Sequence, residues 1–384
     1  MKGGIIIAGS LAQRPGYGGM AWVFLQYALG FQRLGCDVLF LDWLAPEMCR
    51  DRAGKSCAVE DSWNLAWLRD VMQEHGIGNA WSLNYNDGER TYGRAQSDVI
   101  EAAGRAALLI NVMGFLTDRE ILDRPAKRAF LDIDPGFGQM WQALGLATIF
   151  DGHDAHLTIG ENIGRSDCDI PNCGIEWIPT PQPVVLDRWP VSAATPDAPF
   201  TSIVSWRGPF GPVEYAGKTY GLRVHEFRKF VALPQRAGQQ FDLALEIDAS
   251  EVNDLTLLRE HGWNLLDPRE TVATPSDYRT FIHRSKAELM IAKHMYVATN
   301  GGWVSDRSIC YLASGRPVLA QDTGFSRNYP AGEGLLAFRT PDEAQAGVEE
   351  IRCHYDKHCR AARAVAEEYF DSDKVLTRLL DRLL

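Results

Sequence analysis

The chain has no apolar run long enough to cross a bilayer. Its longest, such as Ile5–Ala8 and Val38–Leu41, have the length of strands. It also has no block of like charge, no internal repeat and no low-complexity tract, so neither a charged tail nor a solenoid is expected. Basic residues are in deficit: 39 Lys and Arg against 50 Asp and Glu give a net charge of −11. That argues against a general nucleic-acid binder, and any anionic ligand needs a local basic pocket against the field of the whole chain. Cysteine is sparse, at 8 in 384 residues, which excludes a disulfide scaffold. The pairs Cys168/Cys173 and Cys353/Cys359 lack the short spacing and matching histidines of a zinc clamp. Cys36 and Cys310 lie in apolar surroundings, as core thiols do, and a reducing, cytoplasmic setting fits. Met1-Lys2-Gly3-Gly4 leads straight into a strand, so no signal peptide is expected.

What is present is alternation. At 384 residues two domains are the default. Gly4–Ala8 reads as a buried parallel strand. The Gly-rich loop GSLAQRPGYGG and a helix over Met20–Leu34 follow, and Cys36–Asp42 is the next strand. Further helices over Trp63–Glu74 and Ser97–Arg105 alternate with strands at Ala107–Val112, Ala129–Ile133 and His156–Ile159. Such βα units predict a doubly wound parallel sheet. The segment Ile178–Pro190 carries four prolines and reads as a stiff linker, about which two domains could close as rigid bodies. The pattern then restarts. Strands at Thr201–Trp206, Phe241–Ile247, Trp263–Leu266 and Ala287–Ala292 alternate with helices at Arg223–Leu233, Val252–Glu260 and Pro275–His283, and the tail from Pro341 is helical.

Ligands of open α/β sheets bind beyond the C-terminal strand ends, so those loops hold the candidates. After the first strand, Gly16, Tyr17, Gly18 and Gly19 allow close backbone approach. The spacing is G-x-G-G, not the dinucleotide fingerprint G-x-G-x-x-G. Asp42 ends the second strand, where nicotinamide enzymes keep a ribose-binding acid, which leaves an oxidoreductase as a minor alternative. Asp132 and Asp134 follow the Ala129 strand. Two carboxylates on one face could raise one another's pKa and make one a base; an Asp capping the turn before Pro135 is the alternative. His153, beside Asp154 in a Gly-flanked loop, is the other candidate base, while His156 reads as packing. Glu161 and Asn162 could line the same cleft. In the second half, Arg207 lies just past a strand end beside Trp206.

The most informative block is KHMYVATNGGWVSDRSICYLASGRPVLAQDTG, beginning at Lys293. It reads as strand end, Gly-rich turn (Gly301, Gly302), a helix capped by Ser305 or Asp306, a Gly315 stop and another strand. A helix N-terminus behind a Gly turn offers free N–H groups and a positive dipole end to a phosphate. This block resembles the donor-binding half of GT-B glycosyltransferases, and more narrowly the spore-maturation and family-four-like bacterial set. The resemblance implies an α/β fold of two Rossmann-like domains facing across a cleft: residues 1–180 on the acceptor side, 181–365 on the donor side, and a terminal helix over 366–384 returning to the first domain. It implies a metal-independent, cofactor-free transfer of a sugar from a nucleotide diphosphate-sugar to a small-molecule or glycan acceptor. Lys293, Gly301, Gly302, Ser305, Asp306, Arg307, Thr323 and Arg207 would hold the donor. A D-x-D such as Asp132/Asp134 holds a metal in the GT-A class, but that class has one nucleotide-binding unit where this chain has two. Tyr17, Trp22, Phe115, Phe137 and Trp141 suit an apolar acceptor and suit a core equally.

One departure is specific. Five residues before the glycine that ends this helix, the family commonly carries a ribose-binding Glu; here that residue is Cys310. Asp306 or Glu333 would have to take its place. The alternatives are an epimerase of the same architecture or a nucleotide-sugar binder without catalysis.

Overall fold

The computed structural model describes residues 2–193 and 197–384, of residue 2 the backbone alone. Ile5, Ile6 and Ile7 of β1 (Lys2–Ala8) are at most 1% exposed, as expected of a central strand covered on both faces. Around it lie β2 (Cys36–Leu44), β3 (Trp81–Tyr85), β4 (Arg90–Gly93), β5 (Ala106–Val112), β6 (Arg128–Asp132), β7 (Ala155–Thr158) and β8 (Trp177–Pro179). They form an eight-stranded sheet in the order β4-β3-β2-β1-β5-β6-β7-β8. All neighbours are parallel except β3 and β4, which form an antiparallel hairpin.

The second sheet takes β9 (Phe200–Ser205), β12 (Phe241–Glu246), β13 (Trp263–Leu266), β14 (Ala287–Met290), β15 (Val318–Gln321) and β16 (Leu335–Phe338), after a hairpin of β10 (Val213–Tyr215) and β11 (Lys218–Tyr220). Its order is β13-β12-β9-β14-β15-β16, parallel throughout. The two sheets are the Rossmann-like pair that the alternation predicted. Several short elements had no clear period in the sequence: both hairpins, β8, β16 and the helices Phe137–Ala143 and His294–Thr299. The helix expected over Arg223–Leu233 is broken, with helical pieces at Arg223–Phe227 and Leu233–Ala237.

The linker differs from the expected free hinge. Ile178 and Pro179 belong to β8, and Val184 and Trp189 are completely buried. Val184 N–H donates to Phe370 O at 2.7 Å, and Ser372 N–H donates to Val184 O at 3.0 Å. The linker is thus clamped by the C-terminal segment. The last helix, Ser372–Leu383, lies on the helix Gly18–Arg33: Leu376 fills the space at Gly30, and Arg33 donates to Asp373 at 3.0 Å. One apolar cluster runs through both halves. It joins Ile7, Phe24 and Leu157 of the first to Tyr278, Phe281, Met290 and Ile309 of the second, with Trp189 and Leu380 between. The second half has its own additional core around Phe200, Phe241 and Leu289.

Candidate functional site

The C-terminal ends of β6 and β14 face each other, and two of the sequence candidates meet there. Asp134, two residues past β6, accepts from Lys293 Nζ at 3.0 Å through both carboxylate oxygens. Both side chains are mostly covered, at 16% and 21% exposure, so the pair is far better shielded than a surface salt bridge. Tyr296 Oη donates to the same carboxylate, and Lys293 Nζ lies 3.2 Å from that hydroxyl. Burial, with the Asp134 charge beside it, pushes the Tyr296 phenol well above its ordinary pKa, so it stays a donor. The ammonium also sits 5.0 Å from the Phe137 ring centroid, and Trp303 stacks on Tyr296 at 4.2 Å. Phe210, from the loop after β9, covers Phe137 and Trp141 at 5.2 and 4.9 Å.

The local chain explains this placement. Asp134-Pro135 leaves the strand, and Gly136 then takes φ +107° before the helix Phe137–Ala143. A Cβ on Gly136 would lie 2.9 Å from Met295 Sδ, so the residue also permits the close approach of the His294–Thr299 helix. Beside the pair lies a charge that the sequence reading missed. Arg223 is 9% exposed, donates from one guanidinium nitrogen to Ile291 O at 3.2 Å, and leaves Nε without a partner among the described residues. Burial and the nearby Arg307 lower its pKa to about 10, while Tyr296 and Asp134 oppose that shift. Only its place at the first turn of a helix after a Gly could have signalled it. Tyr296 and Phe210 gave no signal beyond ordinary aromatic packing.

The expected phosphate cradle is otherwise occupied. At Gly302, φ is +79° and a Cβ would meet the Asn162 amide at 2.8–3.0 Å. Asn162 N–H donates to Gly301 O at 3.0 Å, and its side chain donates to Asn300 O and Gly324 O at 3.0 and 3.2 Å. Asn162 belongs to the loop after β7, so the Gly turn binds the other domain. Thr323 is buried inside the same turn, its hydroxyl donating to Trp303 O. Ser305 caps the helix Asp306–Ala313 but is 2% exposed. Asp306 faces Trp22, Gln26 and Tyr27 across a space of only about 10 Å³. Arg307 points into the core, pairing with fully buried Glu288 and donating to Ile203 O at 2.6 Å. Cys310 is buried against Gln26, and Glu333 pairs with Lys357 at 2.9 Å ahead of β16, at the strand end away from the cleft. Neither replaces a ribose carboxylate.

The Gly-rich loop is likewise a domain contact. A Cβ at Gly18 would lie 2.3 Å from Thr274 O and one at Gly19 2.8 Å from Tyr278, both in the second half, while one at Gly16 would lie 2.5 Å from the Trp63 ring of its own half. Tyr17 reaches across to Glu246, and burial with that carboxylate raises its phenol to about 12. Trp22 Nε1 donates to Pro275 O at 2.9 Å. Arg207, about half exposed, is held by the better covered Glu251, and Trp206 is a core residue bonded to Asp254.

Two proposed bases do not reach the cleft. Asp132 is 2% exposed and accepts from Gln139 at 2.6 Å, Thr158 at 2.8 Å and Asp134 N–H at 3.1 Å. Burial lifts its pKa to about 6, but its oxygens are spent on fixing the turn that aims Asp134. His153, in the loop before β7, packs its ring on Phe130 at 5.4 Å. Its ring nitrogens meet Phe150 O and the Asn111 amide, each at 3.0 Å, while Asp154 is taken by Arg128 at 2.8 Å. Burial lowers the His153 pKa, as for a neutral packing histidine. His156 bonds Phe150 O at 2.9 Å inside an aromatic cluster. Glu161 accepts from Tyr329 between the domains, and burial raises its pKa to about 7. Among the described residues no three Asp, Glu, His or Cys side chains gather in a metal-holding group, and no helix is long and apolar enough to cross a membrane.

The fold is shared with known proteins. A family model described as glycosyl transferase-like matches residues 236–381. Comparison with curated protein sequences finds no match. Among solved structures, the chain is similar to Anabaena HepE in complex with UDP and glucose, at 12% identity, 99% coverage of both chains and a TM-score of 0.56. An α-glucosyltransferase bound to UDP and a short DNA matches at 10% identity, 99% of both chains and a TM-score of 0.61. AviGT4, a glycosyltransferase of avilamycin A biosynthesis, matches at 13% identity over 99% of this chain and 96% of its own, with a TM-score of 0.54. The chain has the GT-B glycosyltransferase fold, with the glycosyl transferase-like match lying in its second half.

Proposed function

We propose that the protein transfers a sugar from a nucleoside diphosphate-sugar to a small-molecule acceptor, without a metal ion. The observation that carries this is the Asp134–Lys293 pair, which joins the two domains at the strand ends where ligands of such sheets bind. Lys293 and Arg223 supply the positive charge for a diphosphate; Asp134 supplies the base. An incoming diphosphate competes with Asp134 for Lys293. Once Lys293 turns to phosphate, the Asp134 carboxylate is free to accept a proton from the acceptor. The base is therefore armed by the donor. The acceptor oxygen then bonds to the anomeric carbon and its proton passes to Asp134. The bond from that carbon to the diphosphate breaks, and Lys293 and Arg223 hold the departing charge. Tyr296 orients the carboxylate, and the Phe137, Trp141 and Phe210 rings keep water from the activated sugar.

UDP is the first nucleotide to test, because the HepE and α-glucosyltransferase structures contain it. UDP should bind the wild type and bind Lys293→Ala and Arg223→Lys more weakly. Equal titrations for all three would remove the phosphate assignment. Release of UDP from a UDP-sugar should continue in EDTA; loss that magnesium or manganese restores would require a metal. A sugar-nucleotide converted to its epimer with no acceptor present would replace transfer by epimerisation.

A further inference from the structure

The Asp134–Lys293 pair is mostly covered, so a diphosphate needs a covering element to move before it can surround the ammonium. The two halves share one apolar cluster, and parting them would cost that cluster. The β10–β11 hairpin is held far more lightly. It is hydrogen-bonded to neither large sheet, and a lone two-stranded hairpin is marginally stable by itself. It lies across the seam between the helix that follows Asp134 and the helix that follows Lys293. On one side Phe210, just ahead of β10, packs on Phe137, the ring against which the Lys293 ammonium sits. On the other, the chain leaving β11 is tied to the His294–Thr299 helix: Gly221 N–H donates to His294 Nδ1 at 2.9 Å, and Met295 N–H donates to Gly221 O at 3.1 Å. The inner face of the hairpin is apolar, with Val213 and Tyr220 buried and Phe210 partly covered. Its outer residues Glu214, Ala216, Gly217, Lys218 and Thr219 are exposed. Gly208, at φ +76° and with nothing near its Cβ position, gives the free end a pivot.

What fastens the hairpin is weak. Lys218 Nζ donates to Asp169 at 2.7 Å in a pair that is 62% and 41% exposed, and Tyr220 Oη donates to the same carboxylate at 3.3 Å. Asp169 lies in the loop between β7 and β8, and its N–H donates to Thr299 O at 3.0 Å, so the carboxylate end of this latch is fixed to the His294–Thr299 helix. Exposed ion pairs contribute little and are screened by salt.

We propose that the β10–β11 hairpin is a lid on the Asp134–Lys293 site, latched by Lys218 on Asp169, and that its opening admits and releases the nucleoside diphosphate. The identity of the ligand rests on the glycosyl-transfer reading above; the opening rests on the hairpin's own contacts. The latch holds the closed form of free and loaded protein alike, so breaking it should speed both entry and exit and leave the affinity nearly unchanged.

Hydrogen exchange of the whole protein, followed by mass spectrometry, reads the opening directly. Amides of residues 209–220 should exchange faster than those of β9 and β14. Lys218→Gln and Asp169→Asn should each raise hairpin exchange about two- to fivefold, the effect of losing one exposed ion pair, and leave β9 and β14 unchanged. Raising the salt from about 0.05 to about 0.5 M should do the same to the wild type and little to either variant. In stopped-flow UDP binding, the association and dissociation rate constants should both rise by that same factor. The two substitutions change the local charge in opposite directions, so simple steering of an anion would speed one association and slow the other, whereas a broken latch speeds both. Hairpin amides as slow as those of β9, or exchange untouched by both substitutions, would overturn the proposal. UDP rate constants that stay at wild-type values while hairpin exchange rises would overturn it too, since the ligand would then enter elsewhere. Hairpin exchange that responds as expected in a protein with no UDP affinity would instead keep the lid and remove the transferase reading.

Discussion

At the scale of single residues, two substitutions separate donor binding from chemistry. Lys293→Ala removes a charged donor and leaves Asp134 without its cation. UDP affinity should fall by the equivalent of about 1.5–3 kcal/mol, measured by calorimetry. Asp134→Asn should behave in the opposite way. It frees Lys293, so UDP should bind at least as tightly as to the wild type, while turnover falls by about 10²–10⁴-fold, the usual size of a general-base contribution. A matching loss of UDP affinity in Asp134→Asn would mean that the pair only holds the domains together. Asp42 offers a pH test. Burial raises its pKa from 3.8 to about 8 against the opposing pull of backbone N–H groups. The folded state therefore binds more protons than the unfolded state between those values, and Asp42 makes stability fall as pH rises through that window. The slope approaches about 1.4 kcal/mol per pH unit for a single group. Two histidines, the buried His75 and the partly buried His283, act the other way. His75 and His283 are lowered to about 4, chiefly by burial, so they make stability rise with pH up to the ordinary histidine value of 6.5 and add nothing above it. Between pH 6.5 and 8 the Asp42 effect is unopposed by them, and urea midpoints should fall. Asp42→Asn should flatten that fall even if the variant is less stable throughout. An unchanged slope would show that Asp42 is ionised in the folded protein.

At the scale of elements, the Gly301–Gly302 turn and the loop after β7 form a clasp. Gly302→Ala adds a Cβ at positive φ against the Asn162 amide, and should cost about 1–3 kcal/mol in chemical denaturation. Asn162→Ala leaves Asn300 O and Gly324 O without that donor and should cost a similar amount. UDP binding that stays intact in both variants, per folded molecule, would agree with a structural turn; a selective loss would return the turn to the donor site. The clasp also shows what was legible beforehand. The strong parallel strands and amphipathic helices could be read because their residues are buried on predictable faces: Trp63–Glu74 and Val252–Glu260 match to the residue. The three-residue strands of the second hairpin, β10 and β11, are too short for any period to register, and Ala216 occupies a left-handed turn position that composition would not suggest. Site residues fared unevenly for one reason. Strand-end loops can be located from the sequence, and Asp134 and Lys293 were found that way. Which side chain turns outward cannot be located so: Arg307 and Asp132 lie in equivalent places and point into the core. Glycine was the most misleading signal, since the close backbone approach it permits at Gly18, Gly19 and Gly302 is to the partner domain.

At the scale of the molecule, the shared core decides how the two sheets move. Domain interfaces that permit closure are usually modest and polar. Here the contact is continuous with the main hydrophobic cluster, and the linker that should bend carries a buried Trp189. The rigid-body closure expected from the proline-rich segment loses its physical basis. Small-angle scattering should therefore give the same radius of gyration with and without saturating UDP; a clear contraction would show that the interface opens in solution. The same continuity predicts one cooperative thermal transition in calorimetry rather than two, because neither half can expose its side of the cluster without costing the other. It predicts further that residues 1–180 expressed alone do not fold stably. They would expose Trp22, which Trp189 and Pro275 otherwise cover, and the helix face at Gly30, which Leu376 of the last helix covers. Truncation after residue 371 tests the contribution of that helix by itself. It removes Val375, Leu376, Leu379, Leu380 and Leu383, all buried on one face, and opens the helix Gly18–Arg33 to solvent. Even at about 1.5 kcal/mol for each buried aliphatic side chain, the loss rivals the net stability of an ordinary domain. The truncated chain should thus unfold or aggregate at temperatures where the full chain keeps its far-ultraviolet circular dichroism, and a truncated chain with an unchanged melting curve would show that the terminal helix is an accessory and not part of the core.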